Sequence, residues 1–103
     1  MANPKLILIE TLCTHYKIEV SFIDSLSELG LIELYTVEEI QYLPEEKLSL
    51  LEKMIRIHQD LQINPEGIDV IFRLLDKVET LNKELQEARR KLKELGVKED
   101  ESF

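Results

Sequence analysis

The sequence contains a single cysteine, Cys13, so no internal disulfide framework is available. Glycine and proline number three each, which leaves few tight turns and predicts long helices. Long apolar runs are missing as well. The stretch Leu6–Ile9 is far too short for a signal-peptide core, and nothing approaches a membrane span. A cytoplasmic chain without membrane contact is the expectation. There is no glycine-rich phosphate loop, nucleophile motif or Ser/His/Asp grouping. Cys13 and His15 stand two apart, so on a helix they face different ways, and His58 is isolated. No metal, cofactor or catalytic residue is expected, and the chain does not read as an enzyme.

What is present fits one small domain of 103 residues, with 44% hydrophobic residues available for a modest core. The net charge of −8 is unevenly spread. Residues 1–72 hold five basic and thirteen acidic side chains, whereas residues 73–94 hold seven basic and five acidic ones. An acidic surface of this kind repels phosphate and attracts basic partners, besides keeping the chain soluble.

Apolar spacing organises the chain. Ile9, Leu12, Cys13 and Tyr16 predict a helix over 9–16. Phe22, Ile23, Leu26 and Leu29 predict a second over 20–29, stopped by Gly30. Ile32–Leu43 is rich in Ile, Leu, Tyr, Thr and Val and predicts a short hairpin turning near Val37–Glu39. Pro44, Glu45 and Glu46 then suit the start of a third helix, with proline at its first position and carboxylates at the positive end of its dipole.

Asn64, Pro65 and Glu66 give a second strong helix start. From it runs the series Ile71, Leu74, Val78, Leu81, Leu85, Ala88, Leu92 and Leu95, spaced 3, 4, 3, 4, 3, 4 and 3. That is a heptad seam, and at about 1.5 Å rise per residue a small head cannot cover it. A homodimer joined through Val78, Leu81, Leu85, Ala88, Leu92 and Leu95 is the expected answer. Gly96 ends the helix. The basic group Arg89, Arg90, Lys91 and Lys93 suits its C-terminal dipole. The expected organisation is a head over 1–63, a dimerisation helix over 64–96 and a disordered tail over 97–103. The expected class is all-α, mainly helical.

Several segments carry a family resemblance. Lys17-Ile18-Glu19-Val20 stands as the turn between two helices, and Leu29-Gly30-Leu31-Ile32 as the exit from the second. This order of helix, turn, helix, hairpin and helix, followed by a long coiled-coil helix, resembles the MerR-like winged helix-turn-helix architecture. Ile57-His58-Gln59-Asp60-Leu61-Gln62-Ile63-Asn64-Pro65-Glu66-Gly67-Ile68 leads into the long helix, with Leu74-Leu75-Asp76 and Leu81-Asn82-Lys83-Glu84-Leu85 beyond it. That region is similar to the CbpM family of chaperone modulators, a divergent MerR-like branch. Together the resemblance covers roughly residues 6–87.

Departures from the DNA-binding pattern separate the two branches. Where DNA binders present arginine on the second helix, this chain has Ser21, Asp24 and Glu28. The wing region contains Glu33, Glu38 and Glu39 and no basic residue, a face that repels phosphates. The usual glycine of the turn is replaced by Lys17, which is strained if φ is positive there. The CbpM resemblance implies binding to the J-domain of a DnaJ-type co-chaperone and inhibition of its activity. Asp24, Glu28, Glu33, Glu38 and Glu39 would face its positively charged helix, and Tyr35, with Tyr42 and Phe22 as further candidates, would supply short-range contact. DNA is not an expected partner. A MerR-type DNA-binding transcriptional regulator is the alternative.

Overall fold

The structure is a computed structural model that describes residues 5–97. Four helices and a small sheet follow one another as β1 (Leu6–Leu8), α1 (Ile9–Tyr16), α2 (Val20–Glu28), β2 (Tyr35–Val37), β3 (Ile40–Pro44), a 3-10 turn (Glu45–Lys47), α3 (Leu48–Leu61) and α4 (Pro65–Glu94). The chain is mainly helical, but the all-α expectation is corrected by a three-stranded antiparallel sheet of order β1-β3-β2. The hairpin was legible; β1 was not. It is a three-residue apolar run that passes straight into α1, and so short a segment offers no alternation to read.

Each helix ends where a left-handed residue turns the chain. Lys17, at φ 56 and ψ 50, closes α1, and its N–H and that of Ile18 both donate to the Cys13 carbonyl. Gly30, at φ 77, closes α2, where Leu31 N–H reaches the Leu26 carbonyl at 2.9 Å and Gly30 N–H reaches Ser27 at 3.0 Å. This is the paired-bond geometry of a Schellman stop. Only three residues, Lys17, Ile18 and Glu19, separate α1 from α2, the length of a helix-turn-helix connection.

Pro44 has two roles. It ends β3, buried and extended at φ −59 and ψ 132, opposite Leu6. It is also the N-cap of the 3-10 turn that runs into α3. The helical start read at Pro44, Glu45 and Glu46 is therefore there, with the proline one position before the first helical residue and the first turn 3-10. Proline at a strand end forfeits no ladder bond that is needed, and the Glu45 N–H takes over by donating to the Lys5 carbonyl at 2.8 Å.

Two compact units divide the chain, residues 1–70 and 71–103. The first is the head, and it reaches further than the 1–63 read from the sequence. Ile68, on the first turn of α4, is fully buried there. With it in the core lie Leu12 of α1, Ile23 and Leu26 of α2, Leu43 of β3, and Leu51 and Met54 of α3. Polar ties support this packing. The Tyr16 hydroxyl donates to Glu52 at 2.9 Å, and Gln59 Nε2 donates to the Tyr16 carbonyl at 2.8 Å, joining α1 to α3. Burial, helped by the Glu52 hydrogen bond and charge, pushes the Tyr16 hydroxyl pKa up. The His58 ring stacks on Phe22 at 4.3 Å, with Nδ1 2.8 Å from the Ile63 carbonyl.

The start of α4 matches the sequence reading. Asn64 Oδ1 accepts from the Gly67 N–H at 2.8 Å, with Pro65 at the first helical position. In the second unit every residue from Arg73 to Val97 is exposed. Gly96, at φ 80, provides the stop, with Val97 N–H bonded to the Leu92 carbonyl at 2.9 Å. Of the tail expected over 97–103, residues 98–103 lie outside the described residues.

Candidate functional site

The second helix of the turn and the hairpin beside it hold the residues singled out from the sequence. Between Lys17 and Lys47 the chain carries eight acidic side chains and no basic one. Buried Phe22, Ile23 and Leu26 fix which side of α2 faces the core. That leaves Ser21, Asp24 and Glu28 on the other side. Phe22 is therefore a core residue rather than a contact residue.

The acids do not all stand alike. Glu28 and Glu33 are exposed, whereas Asp24 is half-buried. Asp24 lies near enough to Cys13 of α1 to help raise that thiol's pKa, after burial and ahead of Glu10. A buried thiol held protonated is a poor nucleophile. Glu33 borders one open groove together with Ser27, Gly30, Lys47 and Leu50 at the far end of α2. Glu39 borders a different groove, of about 470 Å³, with Leu8, Glu10, Val20 and Ile40. The predicted acids thus flank both ends of the second helix instead of converging on one point.

Glu38 and Glu39 occupy the hairpin tip with φ 51 and 68, between the paired residues Val37 and Ile40. Two successive positive φ values are the mark of a type I′ turn, for which Asn-Gly is the favoured pair. Here two glutamates stand in that conformation, and a side chain costs roughly 1 kcal/mol there.

Pairing also orders the sheet. Tyr35 lies opposite Tyr42, Val37 opposite Ile40, and Leu8 opposite Tyr42. Side chains alternate faces along a strand, so Leu6, Leu8, Tyr35, Val37, Ile40 and Tyr42 share one face, together with Pro44, which is covered at the end of β3. Leu43, on the opposite face, is fully buried. The shared face is therefore the outer one, and it is exposed: Tyr35 is 41%, Ile40 46% and Val37 51% accessible. Sequence reasoning found Tyr35 and Tyr42 but missed Leu6, Leu8, Val37 and Ile40, because the face exists only once β1 is paired.

The seam residues Val78, Leu81, Leu85, Ala88 and Leu92 of α4, and Leu95 just past its end, are all exposed within the single chain. The basic residues beside them are engaged along the helix. Arg90 reaches Glu94 at 3.0 Å, Lys91 reaches Glu87 at 3.6 Å, and Lys83 reaches Glu79 at 3.3 Å. Such exposed pairs contribute about 0.3–0.5 kcal/mol each to the helix. Among the described residues no group of three or more His, Cys, Asp or Glu side chains is placed to hold a metal ion. Nor is any helix among them long and apolar enough to cross a membrane.

Comparison with known proteins adds one finding. The chain matches the family described as MerR HTH family regulatory protein over residues 7–90. No curated protein and no solved structure matches it. The matched span takes in both helices of the turn, the hairpin, α3 and most of α4. The chain belongs to the MerR HTH family of regulatory proteins.

Proposed function

We propose that this chain is a regulatory adaptor that binds protein rather than DNA. Its partner is the J-domain of a DnaJ-type co-chaperone, whose positively charged helix it covers and whose activity it thereby holds down. One observation carries this reading: the stretch between Lys17 and Lys47, which contains the second helix and the hairpin, has eight acids and no base. Family relatives that read DNA need cations on those elements to neutralise phosphates. An acidic face instead attracts a basic helix, speeds encounter and rejects wrong partners. The exposed seam of α4 supports a homodimer, since a row of uncovered leucines marks an interaction surface. The cytosol, where such co-chaperones work, is the matching compartment.

The family match itself favours a second reading, a DNA-binding transcriptional regulator. The two part cleanly in experiment. Calorimetry against a purified J-domain should show binding that weakens between 0.1 and 1 M salt, as the Debye length falls from about 10 to about 3 Å. Glu28→Lys combined with Glu38→Lys should weaken it at least about tenfold, because both side chains are exposed and leave the core untouched. Duplex selection should return no defined site. A tight, sequence-specific duplex, with no response to the J-domain, would establish the second reading instead.

A further inference from the structure

The outer face of the three-stranded sheet carries seven apolar residues; six of them, Leu6, Leu8, Tyr35, Val37, Ile40 and Tyr42, are not buried, and the seventh, Pro44, is covered where β3 ends. A sheet that turns one face to solvent ordinarily alternates apolar inward with polar outward. Here the pattern is reversed near the hairpin tip, where the polar residues Thr36 and Gln41 are paired on the opposite face. A contiguous apolar face of this kind, rimmed by charge, marks an interaction site. We infer that it is the docking surface for one amphipathic helix carrying lysine or arginine along its flanks. This rests on the proposed reading of a basic protein partner and adds where that partner docks and what its contacting side must look like.

Shape and charge select that occupant. Three strands spaced about 4.8 Å apart give roughly 10 Å between the outer two. An α-helix with its side chains is about 10–12 Å across, so the face accommodates one helix and no more. The segments bordering the strands carry Glu10, Glu33, Glu38, Glu39, Glu45 and Glu46, against two bases, Lys5 and Lys47. An apolar stripe with basic flanks would place its stripe on the tyrosines and aliphatics and its charges over the glutamates. A second copy of this chain would set two acidic rims against each other, and the same rim repels nucleic acid and anionic lipid.

The test uses the full chain, isotopically labelled, and two synthetic amphipathic helices, one of leucine and lysine and one of leucine and glutamate. The leucine–lysine helix should bind and shift the amide signals of Leu8, Val37, Ile40 and Tyr42. The leucine–glutamate helix should not bind. The double variant Val37→Thr with Ile40→Thr keeps β-branched side chains, so the hairpin persists, yet it should bind the leucine–lysine helix at least about tenfold more weakly. Undiminished binding by that variant, with shifts confined to α2, overturns the sheet as the docking surface while leaving a basic partner standing. Equal binding of both helices overturns the charge requirement. No binding of the leucine–lysine helix by the folded chain overturns the inference, and whether the proposed function falls with it is decided by calorimetry with the J-domain.

Discussion

The two units of this chain treat apolar side chains in opposite ways. In residues 1–70 the large ones are mostly inside: Ile23, Leu26, Leu43, Leu51, Met54 and Ile68 are below 2% exposed. In residues 71–97 none is buried, and Leu74, Leu75, Val78, Leu81, Leu85, Leu92 and Leu95 are all exposed. Charge divides along nearly the same line, acidic in the head and slightly basic on the helix. The head thus contains within itself the contacts that hold it. The helix carries a heptad seam whose hydrophobic contribution is realised only against something else. Stability of the first unit should depend on its own core, and that of the second on concentration.

The largest expected effect tests the self-sufficient half. Leu26 is fully buried between the elements of the head. Leu26→Ala should cost about 2–5 kcal/mol through lost transfer energy and the cavity left behind, seen as a lower urea midpoint by circular dichroism at any protein concentration. Leu81→Ala is the matched control on the exposed seam. Its cost should appear only at concentrations where the helix is covered. Equal, concentration-independent losses at both positions would erase the distinction between the units.

A smaller effect tests the dependent half. Leu85→Asp places a charge in the middle of the seam and should dissociate the proposed homodimer, since each covered leucine contributes roughly 1.5–3 kcal/mol. Glu87→Lys lies off the seam. It removes the pairs with Arg90 and Lys91 and should leave assembly intact, at a cost of a few tenths of a kcal/mol to the helix. Light scattering decides between them. A wild-type chain that remains monomeric at high concentration would mean that the seam serves another partner.

Much of this architecture was legible because local signals agreed with one another. The span of α1, the Gly30 and Gly96 stops, the Asn64 cap and the hairpin turn each rest on residues within a few positions of one another. What was not legible depends on pairing across sequence. β1 is recognised only through its bonds to β3, and only the pairing with Leu6 shows that Pro44, which caps the helical turn after it, is also a strand end. The candidate site divides the same way. The acids of α2 and the hairpin could be named from the chain, because charge is a property of each residue. That the charge of Asp24 reaches Cys13, and that six accessible apolar residues share an outer face, required the fold.

The smallest effect is the most diagnostic, because stability and binding should move in opposite directions. Glu38 and Glu39 hold positive φ at the hairpin tip, where each side chain is disfavoured relative to glycine or asparagine. Replacing the pair, Glu38→Asn with Glu39→Gly, supplies the residues a type I′ turn prefers. Glycine's greater freedom in the unfolded chain offsets part of the gain, so the head should become more stable by about 0.5–1 kcal/mol. A thermal midpoint should rise by a few degrees, since about 1 kcal/mol moves a domain of this size by roughly 4–8 °C. The same change removes two negative charges from the rim of the proposed docking face, so affinity for a basic helix should fall and its salt dependence should flatten. Strain kept where a better turn is two substitutions away is what a binding role for those carboxylates explains. A variant that gains stability and binds a J-domain as tightly as the parent chain would remove Glu38 and Glu39 from the proposed contact, leaving Glu28 and Glu33 as its candidate acids.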